Sequence, residues 1–191
     1  MRLPAIVIGC VFYLSSVGQN VAFFREDLVF SIDSVYLTIN GKYYFRNNTE
    51  QKVSIPIIYP FPRIHMLKAV EKISVIDLEK PGLTFKVNLE DTLATFQVEI
   101  AAKSEKAISI SYRQQHKGNI ARYILTTTSR WKKPFEEANY DLIVPSYFRI
   151  VSFPFEPDSF STFGDEKIYH WKKKDFMPDK DFDIEFRRNI K

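Results

Sequence analysis

Residue types able to do chemistry are sparse in this 191-residue chain, and few of them sit at useful spacings. His65, His116 and His170 are the only histidines, and none has a histidine partner at i+2 or i+4. A zinc site or a general base would therefore need carboxylates brought in from distant segments. A nucleophile elbow, a phosphate loop and a dinucleotide fingerprint are all missing. The expectation is a non-enzymatic protein with no catalytic residues, no metal and no cofactor; a hydrolase whose site converges on a histidine is the alternative. Asp179, Asp181, Asp183 and Glu185 alternate as ligands of a calcium loop would, but Ile184 stands where an EF-hand loop needs glycine. Phe182, Ile184 and Phe186 explain the spacing better, as a strand with an acidic outer face. Arg130, Trp131, Lys132 and Lys133 form the other notable cluster. A Trp among cations could stack on a sugar ring or a partner's aromatic group, and with Trp171 it makes a candidate surface for a protein or glycan partner. The competing reading has Trp131 plugging the end of the fold.

Whatever holds these residues is built on a period of two. Phe85, Val87 and Leu89 alternate with polar neighbours, as do Phe96, Val98 and Ile100, and Ile108, Ile110 and Tyr112. Further strands are expected at 28–32, 35–45, 53–61, 69–78, 121–129, 139–144, 147–153, 166–176 and 181–187. Asn40-Gly41, Asn47-Asn48-Thr49, Lys80-Pro81-Gly82 and 157–161 read as turns. Helix is expected to be scarce, with a single turn near 134–138. So many short strands indicate an all-β fold, an antiparallel β-sandwich, Ig-like or related, followed by a smaller β unit. Lys117-Gly118-Asn119 is the expected boundary, giving a sandwich over 20–117 and a second unit over 118–191.

Composition narrows the function classes. The chain is 45% hydrophobic and carries a net charge of +4, too little to argue for nucleic acid. Arg2, the apolar stretch Leu3 to Leu14 and the small residues Ser16-Val17-Gly18 read as an export signal over 1–19. Removing it would leave no stable transmembrane segment, and no thiol, since Cys10 is the only cysteine. The product would be periplasmic, at the cell surface or extracellular.

The segment VSIPIIYPFPRI (53–64) alternates like a strand yet holds Pro56, Pro60 and Pro62 at one parity. Their missing donors lie on one lateral side, so an edge strand blunted against pairing is expected. The stretches YYFRNNTEQKVSIPIIYPFP (43–62), SISYRQ (109–114) and YILTTTSRWKKPFEEANYDLIVP (123–145) resemble an uncharacterised group of exported bacterial β-sandwich proteins. The first is also weakly similar to the vault/inter-α-trypsin domain. These resemblances imply an accessory, non-catalytic β domain and carry no site residues over. At the C-terminus, YHWKKKDF (169–176) and 181–187 are expected to pair as a hairpin, Lys172 to Lys174 opposite the acidic row. The function expected is that of an exported binding protein or structural part of the cell envelope, with a carbohydrate-binding module using exposed Trp as a variant.

Overall fold

A computed structural model describes residues 20–80 and 82–188; the proposed signal at 1–19 lies outside them. Thirteen strands and one short helix follow in order: β1 (Val21–Ile32), β2 (Tyr36–Asn47), β3 (Val53–Pro60), β4 (Ile73–Asp77), β5 (Asn88–Leu89), β6 (Leu93–Ile100), β7 (Glu105–Gln115), β8 (Ile120–Tyr123), a 3-10 helix (Thr126–Trp131), β9 (Phe135–Pro145), β10 (Phe148–Ser152), β11 (Ser159–Phe163), β12 (Glu166–Phe176) and β13 (Phe182–Arg188). The all-β class read from the period-two patterning holds. A seven-stranded sheet, ordered β11-β12-β9-β1-β2-β7-β4, presents one face to two three-stranded sheets, β10-β13-β8 and β3-β6-β5. Phe30 of β1 stacks on Phe182 of β13 at 4.4 Å between centroids, and Tyr43 of β2 meets Tyr59 of β3 edge-on at 5.9 Å. Both small sheets thus share the core of the large one.

One pairing departs from an antiparallel plan. β1 and β9 run parallel, in register from Arg25 with Glu137 to Ser31 with Ile143. The expected boundary at Lys117-Gly118-Asn119 falls between β7 and β8, and the β1–β9 ladder joins strands from either side of it.

β3 is an edge strand, as its prolines require. β6 is its only ladder partner among the described residues, with Ile55, Ile57 and Tyr59 buried and Pro56 exposed. Pro60 closes the strand, so Pro62 lies in the loop beyond.

Several local expectations fail for identifiable reasons. Asn40-Gly41 is not a turn but the middle of β2. Gly41 is there because Tyr43 folds back over it: a Cβ would sit 2.5 Å from the Tyr43 ring. Strand 121–129 stops at Tyr123 and gives way to the 3-10 helix, while the turn expected at 134–138 is the start of β9. Part of the turn expected at 157–161 belongs to β11, whose five residues are all exposed and so lack the alternation that marks a strand. Only Asn88–Leu89 of the Phe85 to Leu89 alternation enters a ladder.

The C-terminal hairpin does not form. β12 lies between β9 and β11, whereas β13 lies between β10 and β8 in another sheet. β13 carries a buried apolar row, Phe182, Ile184 and Phe186, and β12 turns Trp171 towards it across the core. Trp171 of β12 meets Phe182 of β13 edge-on at 5.1 Å. Side by side in one sheet, the two strands would still need a second layer to cover these side chains.

Candidate functional site

β1 begins with an irregularity that decides what the core contains. Its register against β2 shifts between Phe23 and Arg25, a bulge that turns both Phe23 and Glu26 to the inner face although their parities differ. Downstream, Leu28, Phe30 and Ile32 keep Glu26's phase and are buried. A carboxyl therefore stands in an apolar row, 2% exposed.

Around it lies a cavity of about 50 Å³. Its walls are aromatic, with Phe23, Phe45 and Trp131 at one end, and Tyr43, Tyr59 and Tyr123 at the other. The three tyrosine hydroxyls converge, Tyr43 Oη lying 2.8 Å from Tyr59 Oη and 3.0 Å from Tyr123 Oη. Tyr140 Oη donates to Glu26 Oε1 at 2.6 Å, and no protein group among the described residues hydrogen-bonds the other oxygen. Next to the cluster, Tyr112 packs edge-on against Tyr59 at 5.8 Å, its hydroxyl buried beside theirs. The partly exposed lining residues, Ile58, Pro60, Ile124, Thr127 and Trp131, place the mouth between the end of β3 and the 3-10 helix.

Burial pushes the Glu26 carboxyl up to about 8; the Tyr140 hydrogen bond pulls the other way and neighbouring Asp27 adds to the rise. Burial likewise raises Tyr43, Tyr59 and Tyr123, which stay neutral. A carboxyl that burial has shifted so far, in a cleft with converging polar groups, is the pattern of a binding or catalytic site.

The acidic row helps to hold the site's roof in place. Asp181 Oδ1 accepts from the backbone N–H groups of Leu125 and Thr126, both at 3.1 Å, and from Thr126 Oγ1 at 2.8 Å, so it caps the 3-10 helix from 55 residues further along the chain. Asp183 pairs with Arg122, its Oδ1 2.6 Å from Nε, and Glu185 accepts from Asn119 Nδ2 at 3.4 Å. Asp179 is exposed. The lysines find other partners: Lys173 meets Asp158 at 3.0 Å and Lys172 meets Glu137 at 3.7 Å.

Of the surface read from sequence, Trp131 belongs to the cavity. It is half-buried, 5.8 Å from Phe23 and 5.7 Å from Phe45 between centroids. Arg130 is half-buried beside it, and Lys132 and Lys133 are exposed, Lys132 ending the helix in the left-handed conformation at φ 58°. Trp171 does not join them: it is 2% exposed, and its indole N–H donates to the Phe155 carbonyl at 3.0 Å. Asn47, within a glycosylation sequon, is 1% exposed and donates to the carbonyls of Gln51 and Ala101, both at 2.8 Å, so its amide is not available for a glycan.

The histidines diverge. His116 is buried, its ring nitrogens 3.0 Å from the Gly118 carbonyl and 2.9 Å from that of Asp33. His65 is exposed. On the outer face of the large sheet, His170 lies 2.7 Å from Asp141 through Nδ1 and 3.1 Å from Ser161 Oγ through Nε2. That is the relation of orienter, base and nucleophile in a serine hydrolase, set on three adjacent strands.

A family model described as a domain of unknown function (DUF4424) matches residues 8–118, more than half of the chain. No curated protein matches the sequence. Among solved structures, one from Legionella pneumophila, provisionally described as a nutrient binding protein, aligns at TM-score 0.71 with 15% identity, over 89% of this chain and 68% of that one. An M1 zinc metallopeptidase from Deinococcus radiodurans aligns at TM-score 0.51 with 7% identity, over 81% of this chain but only 39% of the peptidase. At these identities the likeness is one of fold.

Proposed function

The chain belongs to the DUF4424 family, and from that premise we propose that it is an exported, non-catalytic binding protein whose ligand occupies the cavity over Glu26. The observation that carries this reading is the buried Glu26 carboxyl, with a tyrosine hydroxyl and no cation beside it, in the wall of an aromatic-lined cavity. A core built only for stability would fill that space and would not bury an acid without a cationic partner. The description of the Legionella pneumophila protein agrees with a binding role, and the apolar N-terminal run with small residues near 18 agrees with export. Native mass spectrometry of protein recovered from its own host, before and after partial unfolding, tests the reading. A retained small molecule is expected from wild type and not from a Trp131→Ala variant that opens the mouth. Export is tested separately by N-terminal sequencing, which should begin near Gln19; a soluble cytosolic product retaining Met1 would refute it.

A second reading, hydrolysis, rests on the Ser161–His170–Asp141 arrangement. Its geometry meets the nucleophile–base and base–orienter conditions. All three groups are open to water, Ser161 exposed and the His170 and Asp141 side chains 37% and 46% exposed, so transition-state charge would develop without the dry setting that makes oxyanion stabilisation strong. Labelling of Ser161 by a fluorophosphonate, lost in His170→Ala, would favour hydrolysis; an unlabelled Ser161 would leave the trio as a surface hydrogen-bond chain.

A further inference from the structure

We propose that the cavity takes a small alkylammonium cation, with Glu26 as its counter-ion and the tyrosine hydroxyls as additional hydrogen-bond acceptors. This deepens the binding reading and rests on it.

Donors and acceptors around the cavity do not balance. Three tyrosine hydroxyls make two bonds among themselves, using two of their protons and two of their lone pairs. One proton remains against four free lone pairs, so the cluster is short of donors. Once ionised, Glu26 adds acceptor capacity alone, and among the described residues the lining contains no lysine, arginine or histidine. An anion would meet more lone pairs than donors, and no positive charge in the lining. A primary ammonium brings three N–H donors and the positive charge that Glu26 lacks, while its alkyl tail suits Phe23, Phe45 and Trp131, whose ring faces also attract cations. Arg25, next in sequence, cannot serve: it points to the outer face, where it bonds Asp27 at 3.0 Å and Glu137 at 3.6 Å.

Glu26 is faced by Tyr140 from β9, Tyr43 from β2, Tyr59 from β3 and Tyr123 from β8, with Asp27 beside it on β1. All four tyrosines are neutral, so the proton on Glu26 is the one that competes with the cation. With that carboxyl pushed up to about 8 in the empty site, cation affinity should fall by up to about tenfold for each pH unit below 8 and level off above it.

Isothermal titration of the full-length protein with ethylammonium, ethanol and acetate at pH 6, 7 and 8 tests this. The expected result is binding of ethylammonium alone, strengthening with pH, and weakened at least tenfold in Glu26→Gln. A second measurement needs no variant: the side-chain ¹³C signal of Glu26 should move to its ionised position when ethylammonium is added at pH 7. Ethanol binding as well as ethylammonium, equally in wild type and Glu26→Gln, would overturn the cation proposal and leave the binding reading intact. No binding of any probe, with no molecule retained from the native host, would overturn both.

Discussion

Two carboxylates are buried on the inner face of the same sheet, and they have opposite fates. Asp77, at the end of β4, is 3% exposed; its burial alone would raise its affinity for protons, but Lys106 Nζ at 2.6 Å and the N–H groups of Glu79 and Lys80 outweigh that and hold it below the usual carboxylate range. Glu26 is as little exposed but set deeper in the protein, with one hydroxyl for company, and is pushed up to about 8. The difference separates two uses of a buried acid. Asp77 is a finished structural joint between β4 and β7, and Lys106 completes it with a second contact to Glu79 at 3.0 Å. Glu26 has no cation beside it among the described residues, and burying its charge costs stability.

The largest test removes what finishes the first site. Lys106→Met should strip Asp77 of its counter-ion and lower unfolding free energy by roughly 3–5 kcal/mol, the usual cost of orphaning one member of a buried pair; urea titration at neutral pH would show it. A loss under about 1 kcal/mol would mean the pair is not buried in solution.

The second test inverts the sign at Glu26. A carboxyl whose folded-state affinity for protons exceeds its unfolded one lends stability below its unfolded value and forfeits it as pH rises through the folded value. Wild type should therefore lose roughly 4 kcal/mol between pH 4.5 and pH 8, the figure that follows from a rise from 4.5 to about 8. Glu26→Gln should match wild type near pH 4.5 and exceed it by most of that amount at pH 8. Parallel stability curves for the two proteins would show that Glu26 is hydrated and the cavity open.

Tyr140→Phe is a smaller probe. It removes a hydrogen bond worth about 1 kcal/mol and, because that bond opposes the effect of burial, should move the Glu26 titration still higher, as carboxyl ¹³C shifts would report. Smallest of all is Asp183→Asn, at a partly exposed pair with Arg122. Thermal melts should change by under about 1 kcal/mol, against the several expected from either buried acid.

Much of the fold could be read from alternation alone, because strands with one wet face write their burial into every second residue. Phe96, Val98 and Ile100, or Phe182, Ile184 and Phe186, are each buried as read. The prolines of β3 named an edge for a reason equally local. What alternation does not encode is the partner: the C-terminal rows show that two strands are half-buried without showing that they lie in different sheets. Glu26 was legible in principle, as a charge in phase with Leu28, Phe30 and Ile32, but the bulge at Phe24 breaks the pattern where it would have been noticed. The tyrosine cluster was not. Its members come from β2, β3 and β8, and Tyr43 and Tyr123 are 80 residues apart.

The parallel pairing of β1 with β9 also sets a timetable. β1 can pair with β2 as soon as both exist, but its other edge, and Tyr140 with it, comes from a segment 114 residues further on. Contacts that close so long a loop form late, since the chain entropy is lost before the contact stabilises anything. During that interval Glu26 remains in water and ionised at neutral pH, so the protein must take up a proton as its sheet closes. The closing step should therefore slow as the refolding buffer is made more alkaline.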